Sequence, residues 1–439
     1  MQRINGPITG HGLLFALVRG GLPLILALTA LIQGLMIFNS LHGRDRYKDF
    51  AIFYLSALEA RTGEPIYRTE FAPLAQKLGI DTGGIKQAAD PPTLVLLFEP
   101  LTLLPLGPAF WAWTMINCLA LALALALLLG GRSGLSPPLA SAFAALVVWY
   151  PPVADGLFWG QDKMLILLAL VLAMRWMEQK HDAAAGFILA GASLCLIFPL
   201  LVSGYLVLQQ RWNTLRYLVA GLVAGSLFTV AIFGLANSFD FLIGLAYLTR
   251  KQWLLTSHNI ALSAFLSRLI WRLVTPNPSL MLDLFRCAMI VLAIATIITL
   301  TVRATLVRRN MEEDPDWRVF SLWVVTALIL SPSAWLHYLV ILLLPFAQIA
   351  RAATRGRASR RTRHMGVASI ILTCIAFYAG DRLGPNTNIW WRGALKECGF
   401  LSLLAVYVAA YWFADDVPQK SVELYQNDAR TPAQLMQVV

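Results

Sequence analysis

Apolar stretches of roughly membrane length alternate with short polar segments along most of the chain, the pattern of a helical protein that crosses a bilayer repeatedly. The first stretch, residues 21–39, is near the ~20 residues a helix needs to cross the hydrocarbon core. No small-residue cleavage site follows it, which predicts an anchor rather than a removed leader. Residues 139–150 predict a shorter ascent ending at Tyr150-Pro151-Pro152, and residues 186–209, with Pro199 near their middle, predict a pair of short helices. In the long polar segment 40–107, Phe50, Phe53, Tyr54, Ala57 and Leu58 recur at helical spacing opposite Lys48, Ser56 and Arg61. That spacing predicts an amphipathic helix lying in the interface, ended by Gly63-Glu64-Pro65. Residues 93–106, with Glu99-Pro100 inside them, predict an interfacial or re-entrant helix.

Composition agrees with the pattern. A chain of 439 residues with 58% hydrophobic and 13% charged residues cannot fold as a water-soluble globule. The expected fold is an all-α polytopic membrane bundle over residues 1–416, with a polar cytoplasmic tail at 417–439 and no soluble domain or internal repeat. The net charge of +11 invites a nucleic-acid reading, but the Lys and Arg sit mainly between apolar spans, as positive-inside topology requires. Arg175 with Lys180, Arg211 with Arg216, Arg303 with Arg308 and Arg309, and the Arg-rich connection from 351 to 363 are all expected in the cytoplasm. Placing them there gives about twelve crossings in the cell inner (plasma) membrane with both termini inside. Cys118, Cys195, Cys287 and Cys374 lie within apolar runs, and no CxxC pair occurs among the five cysteines, so they read as packing residues.

This topology gathers the unusual polar segments on the outer face: the loop 40–107, Gly160-Gln161-Asp162-Lys163, residues 237–278, the stretch from Ser331 to Tyr338, and the patch 381–396. A carboxylate where a membrane helix gives way to an outer loop is costly unless it pairs, binds or reacts, which makes Asp49 the leading candidate for chemistry.

The order of Asp49 with its aromatic helix, Gly63-Glu64-Pro65-Ile66-Tyr67, Asp90-Pro91-Pro92, Pro100, Pro105, Trp113, Asn117, Gly160-Gln161, Asn259, Arg268, Ser331-Pro332 and Trp335-Leu336-His337-Tyr338 resembles glycosyltransferase family 87. These are polyprenol-phosphate-mannose-dependent mannosyltransferases of the GT-C superfamily, and the resemblance runs from about residue 49 to 345. It implies transfer of a hexose from a polyprenyl-phosphate sugar to a lipid or glycan acceptor on the extracytoplasmic face. An acidic residue of the first outer loop then serves as general base, and the matching position is Asp49. The chain departs from the family pattern in three places. Leu196-Ile197-Phe198-Pro199 lacks the usual Lys before the proline, Lys163 stands where Asn is usual, and Asp90-Pro91-Pro92 replaces Tyr-Pro-Pro. Lys163, or a first-loop base such as Lys86, is the candidate to replace the missing Lys.

Displacement at an anomeric carbon by a hydroxyl, with phosphate leaving, needs a base near the hydroxyl and donors or cations on the departing phosphate. A phosphate leaves without a strong acid, unlike the sugar alkoxide of the two-carboxylate glycosidases. Asp49 fits the base; His337, Arg268 and Asn259 are candidates for the phosphate, Gln161 for sugar hydroxyls, and Trp335, Tyr338 and Tyr54 for stacking on a sugar or lining the prenyl groove. Each has a structural rival: Asp49 pairing with Arg46 or Lys48, His337 as a core histidine, Arg268 and Arg272 reaching lipid phosphates, Gln161 as a turn residue. No DxD, HxxxH or comparable ligand cluster occurs, so neither a metal nor another cofactor is expected. The expected partners are the lipid-linked donor, the acceptor and membrane lipids. The competing class is a polytopic transporter or scramblase, which would show inverted repeats and midplane polar groups.

Overall fold

The structure is a computed structural model, and it describes residues 28–41, 48–63, 65–80, 88, 90–130, 136–245, 254–256, 258–273, 280–309, 316–382, 395 and 397–415. Lys86, most of the patch 381–396 and the tail 417–439 lie outside the described residues. The described chain is helical, with one isolated antiparallel bridge between Asn259 and Trp335.

Among the described residues, five helices are long and apolar enough to cross a membrane: Leu106–Leu129, Trp212–Gly244, Met281–Arg309, Leu336–Thr354 and Cys398–Asp415. Leu139–Trp149 and Pro151–Trp159, bent by 52° at their break, pass the same test only together, as a broken span or a re-entrant loop. The bend falls at Tyr150-Pro151-Pro152, because a proline ring excludes the helical hydrogen bond of the preceding turn yet suits the first turn of a new helix. The expected helix pair around Pro199 appears as Asp182–Cys195, a tight turn of 3-10 helix at Phe198–Val202 and a short helix Ser203–Leu208. Residues expected to form an interfacial helix are the helix Pro92–Phe98 continued by the 3-10 segment Glu99–Leu103.

Close helix contacts rest on small residues, as they do where lipid removes the hydrophobic drive for association. A Cβ on Gly186 would come within 2.6 Å of the Thr214 carbonyl, and one on Gly221 within 2.6 Å of Ala190. The helices Asp182–Cys195 and Trp212–Leu245 therefore touch almost backbone to backbone.

The helix Lys48–Thr62 forms where the sequence predicts it, but it is buried over most of its length and exposed at its C-terminal end. Phe50, Phe53, Tyr54 and Ala57 are buried as expected, and so is Ser56 on the side expected to face water, while Arg61 on that side is exposed. Two layers account for the burial: Pro92–Phe98 and Glu99–Leu103 cover one side, while Ile52 and Leu55 pack with Phe71 and Ala75 on another. Phe50 stacks against Phe98 and Phe110 at 5.7 and 5.4 Å between ring centroids, which fixes the start of this helix in an aromatic wall.

The two ends of the helix Lys163–Glu178 differ in chemistry. At its C-terminal end Arg175 donates to the Leu127 carbonyl at 2.6 Å, and Arg351 donates to the neighbouring Leu128 carbonyl. Guanidinium groups thus meet the last carbonyls of Leu106–Leu129, where the helix dipole favours cations. The N-terminal end, about 18 Å away at 1.5 Å per residue, carries the polar cluster described next.

Candidate active site

The cluster begins with a turn. The helix Pro151–Trp159 ends at Gly160, whose φ of 67° lies in the left-handed region where glycine is favoured. The Gly160 and Gln161 amides donate back to the Leu157 and Gly156 carbonyls at 3.2 and 2.8 Å, closing the helix end in a Schellman arrangement. The indole of Trp113 donates to the Gly160 carbonyl at 2.7 Å, and a Cβ on Gly160 would sit 2.7 Å from the Phe50 Cβ. Glycine is required twice over here, for the turn and for the approach of the helix that carries Asp49.

That approach brings Asp49 to Gln161, whose Nε2 donates to Asp49 Oδ2 at 2.7 Å. Lys163 Nζ donates to Gln161 Oε1 at 3.1 Å, pairs with Asp162 Oδ1, and lies 4.6 Å from the centre of the Tyr338 ring. Asp162 and Lys163 are 1% and 3% exposed, so both charges are withdrawn from water; Lys163 meets Asp162 Oδ1, Gln161 and the Tyr338 ring, while Asp162 Oδ2 is buried without a hydrogen-bond partner. The adjacent His337, at the start of the 3-10 segment Leu336–Leu342, turns Nδ1 toward Asp155 Oδ2 at 3.6 Å. The other oxygen of Asp155 accepts from the Trp159 indole at 2.9 Å.

Burial pushes the Asp49 carboxyl above its ordinary value, against the lowering effects of His337, the Gln161 hydrogen bond and Lys163; the Asp155 charge adds to the rise. Asp90 lies within electrostatic reach of the same group. Burial raises its carboxyl to about 7, with Asp162 and Asp49 reinforcing that rise and Lys163 opposing it. The loop at Asp90 is tied down by Tyr67, which donates to the Asp90 carbonyl at 2.6 Å.

Of the residues picked from sequence, Asp49, Gln161 and Lys163 form one hydrogen-bonded group, and His337 lies within electrostatic reach of Asp49. Tyr54 lies one turn further along the same helix and donates to the Leu104 carbonyl at 2.9 Å. Asn259, Arg268 and Trp335 form a second knot. Asn259 Oδ1 accepts from the Ala261 and Ala334 amides at 3.1 and 3.2 Å, beside the bridge to Trp335. Arg268 grips both Glu397 oxygens at 2.9 and 2.7 Å and donates to the carbonyls of Leu254, Thr256 and Asn259. This second knot sets the chain that leads into His337. Sequence reasoning missed Asp155, Asp162 and Trp159 as parts of the site. An acidic residue inside the apolar run 151–159, four residues before a tryptophan, was the available signal. Among the described residues no group of three or more His, Cys, Asp or Glu side chains is placed to hold a metal ion.

A carboxylate raised by burial, hydrogen-bonded by an amide and within electrostatic reach of a histidine, sits among helices long and apolar enough to cross a membrane. Residues 90–332 match glycosyltransferase family 87, and the chain belongs to that family; it is a membrane glycosyltransferase. It is 25% identical over 337 residues to the polyprenol-phosphate-mannose-dependent alpha-(1-2)-phosphatidylinositol pentamannoside mannosyltransferase of Mycobacterium tuberculosis (strain CDC 1551 / Oshkosh), covering 74% of this chain and 72% of that protein.

Proposed function

We propose that the protein transfers mannose from a polyprenyl-phosphate donor to a glycolipid acceptor on the extracytoplasmic side of the membrane, with Asp49 as general base. The observation that carries the reading is the hydrogen bond from Gln161 to Asp49, two residues far apart in the chain, with His337 within electrostatic reach of the same carboxylate. The donor class and the glycolipid acceptor follow the mycobacterial relative. In the step, Asp49 takes the proton of the acceptor hydroxyl as its oxygen bonds to the anomeric carbon. The bond from that carbon to the phosphate oxygen breaks, and its electron pair leaves with the polyprenyl phosphate. A single displacement inverts the anomeric centre. His337 faces the departing phosphate as a hydrogen-bond donor, and Asp155, held by Trp159, sets the ring that does so. Asn259, Arg268 and Trp335 shape the rim leading to it, and Tyr54 lines the apolar side.

The outward placement is supported by the arginine-rich end of the bundle. Arg175 and Arg351 mark the cytoplasmic end by the positive-inside rule, and the site sits at the opposite end of the helix Lys163–Glu178. Twelve crossings satisfy that sidedness. The test is transfer by the purified protein in detergent from radiolabelled polyprenyl-phosphate mannose, glucose and arabinose to a phosphatidylinositol mannoside. Label appearing in the glycolipid from the mannosyl donor alone is the expected result. Equal use of another sugar, or release of free mannose only, would overturn the assignment.

A further inference from the structure

We propose that Lys163 is a positioning residue for Asp49 rather than a contact for the donor phosphate, acting by fixing which end of the Gln161 amide faces the carboxylate. The inference rests on Asp49 being the base.

An ammonium group has hydrogens to give and no lone pair to receive. With Lys163 Nζ 3.1 Å from one end of the Gln161 amide, that end is the carbonyl oxygen, and the amide N–H must point the other way, to Asp49 Oδ2 at 2.7 Å. Rotating the amide would set its N–H group against the ammonium and its oxygen against the carboxylate, two repulsions in place of two attractions. Lys163 is itself held, by Asp162 on one side and the Tyr338 ring on another, and it is 3% exposed. Its donors are therefore directed inward, to Asp162, the amide and the ring, which leaves the ammonium poorly placed to meet a lipid phosphate.

The consequence for Asp49 is specific. Oδ2 is occupied by the amide, so Oδ1 is the oxygen turned over to the acceptor proton. The groups facing the carboxylate are Gln161 and Lys163 from the turn, His337 from the segment Leu336–Leu342, Asp155 from the helix Pro151–Trp159, and Asp90 from the first loop. Among these, Lys163 and the amide both favour the ionised carboxylate, against burial and the two nearby acids. Removing Lys163 takes away a positive charge and releases the amide, so the proton is held more tightly and the base ionises at higher pH.

The experiment measures kcat and donor KM against pH for the full chain in detergent with polyprenyl-phosphate mannose, comparing wild type, Lys163→Met, Lys163→Arg, Gln161→Leu and the Lys163→Met/Gln161→Leu pair. Lys163→Met is expected to move the acid limb of kcat upward by about one pH unit and to lower kcat about 10-fold at neutral pH, with donor KM within about threefold. Lys163→Arg should recover most of the loss. The pair should lose little more than either single variant, because both act through the same amide. If Lys163→Met fails to fold because Asp162 is left buried without a partner, Asp162→Asn/Lys163→Met removes both charges and reads the release of the amide alone, so the acid limb should still move upward, by less. A donor KM raised 10-fold or more with an unmoved acid limb would place Lys163 on the phosphate and overturn the proposal, as would a profile unchanged in every respect. Asp49→Asn run alongside separates the two readings. If it stays active, the base assignment fails; if it is inactive while the Lys163 profile is unmoved, the positioning role alone fails.

Discussion

His337 and Asp155 face each other across the junction of two helical segments, with Nδ1 3.6 Å from Oδ2, and the second oxygen of Asp155 is fixed by the Trp159 indole at 2.9 Å. Gly156, the next residue after Asp155, packs tightly against Met164: a Cβ there would lie 3.1 Å from the Met164 terminal methyl and in ordinary contact, 4.0 Å, with the His337 Cβ. At 3.6 Å the pair is a charge contact rather than a hydrogen bond, and it leaves Nε2 on the far side of the ring.

His337→Ala is therefore expected to reduce kcat/KM for the donor by about 10- to 10²-fold, since a charge-assisted contact to phosphate is worth roughly 1.5–3 kcal/mol. Asp155→Asn should give a smaller loss in the same parameter, and Trp159→Phe a smaller one still. Steady-state kinetics with the thermal midpoint measured on the same preparations decide this. A His337→Ala protein that melts far earlier yet uses donor normally is a structural mutant.

Gly160 is the most sensitive backbone position in the site. Gly160→Ala must hold a side chain at a φ of 67°, costing about 1–2 kcal/mol, and must also push Phe50 away from a 2.7 Å approach. Phe50 adjoins Asp49 in the chain, so the displacement is passed to the carboxylate. A shift of ~1 Å in a reacting group can cost ~10²-fold. The expected result is a loss of kcat of that order in a protein that still purifies as a monodisperse species. Near wild-type kcat would show that the aromatic wall yields without moving the base.

Arg268 is expected to behave as a brace. Its guanidinium is 2% exposed and meets Glu397 in a two-pronged pair, so removing either partner strands a charge away from water. Breaking such a pair costs about 3–5 kcal/mol. Arg268→Met and Glu397→Gln should both lower the thermal midpoint markedly, with smaller losses when combined than their sum. If Arg268→Met instead melts normally and only raises donor KM, Arg268 belongs to the phosphate site.

The parts of this molecule that were legible from sequence are those set by local rules. Apolar length gave the long helices, Pro151 and Pro152 gave the bend, and Pro199 gave the broken pair. Asp49, Gln161 and His337 were visible because polar groups next to apolar spans are expensive. The burial of Ser56 on the helix Lys48–Thr62 was illegible, because the covering of that helix comes from Phe71, Phe98 and their neighbours, contacts that no periodicity encodes. Asp155 was illegible for the same reason, since its partner His337 lies more than 180 residues away along the chain. The role of Lys163 depended on which end of an amide it met, a fact of three-dimensional placement alone.

Asp49 carries the sharpest prediction. Asp49→Asn keeps the shape of the side chain and one hydrogen-bond acceptor, but it cannot take the acceptor's proton, so transfer should fall by about 10²- to 10⁴-fold while donor binding survives. Asp49→Glu should recover little, because the added methylene moves the carboxylate by about 1 Å against a wall fixed by Phe50 and Gly160. In the wild type, burial raises the carboxyl above its usual value, so the base is still protonated at a pH where a free aspartate would be ionised. The rate should accordingly rise with pH through a titration above the ordinary carboxylate range, and that limb should vanish from the residual activity of Asp49→Asn. The measurement is transfer at saturating donor and acceptor across the pH range for both proteins. A rate for Asp49→Asn within a few-fold of wild type, with the limb intact, would remove Asp49 from the chemistry and send the search for the base to Asp90, whose carboxyl titrates near 7 within reach of the same site.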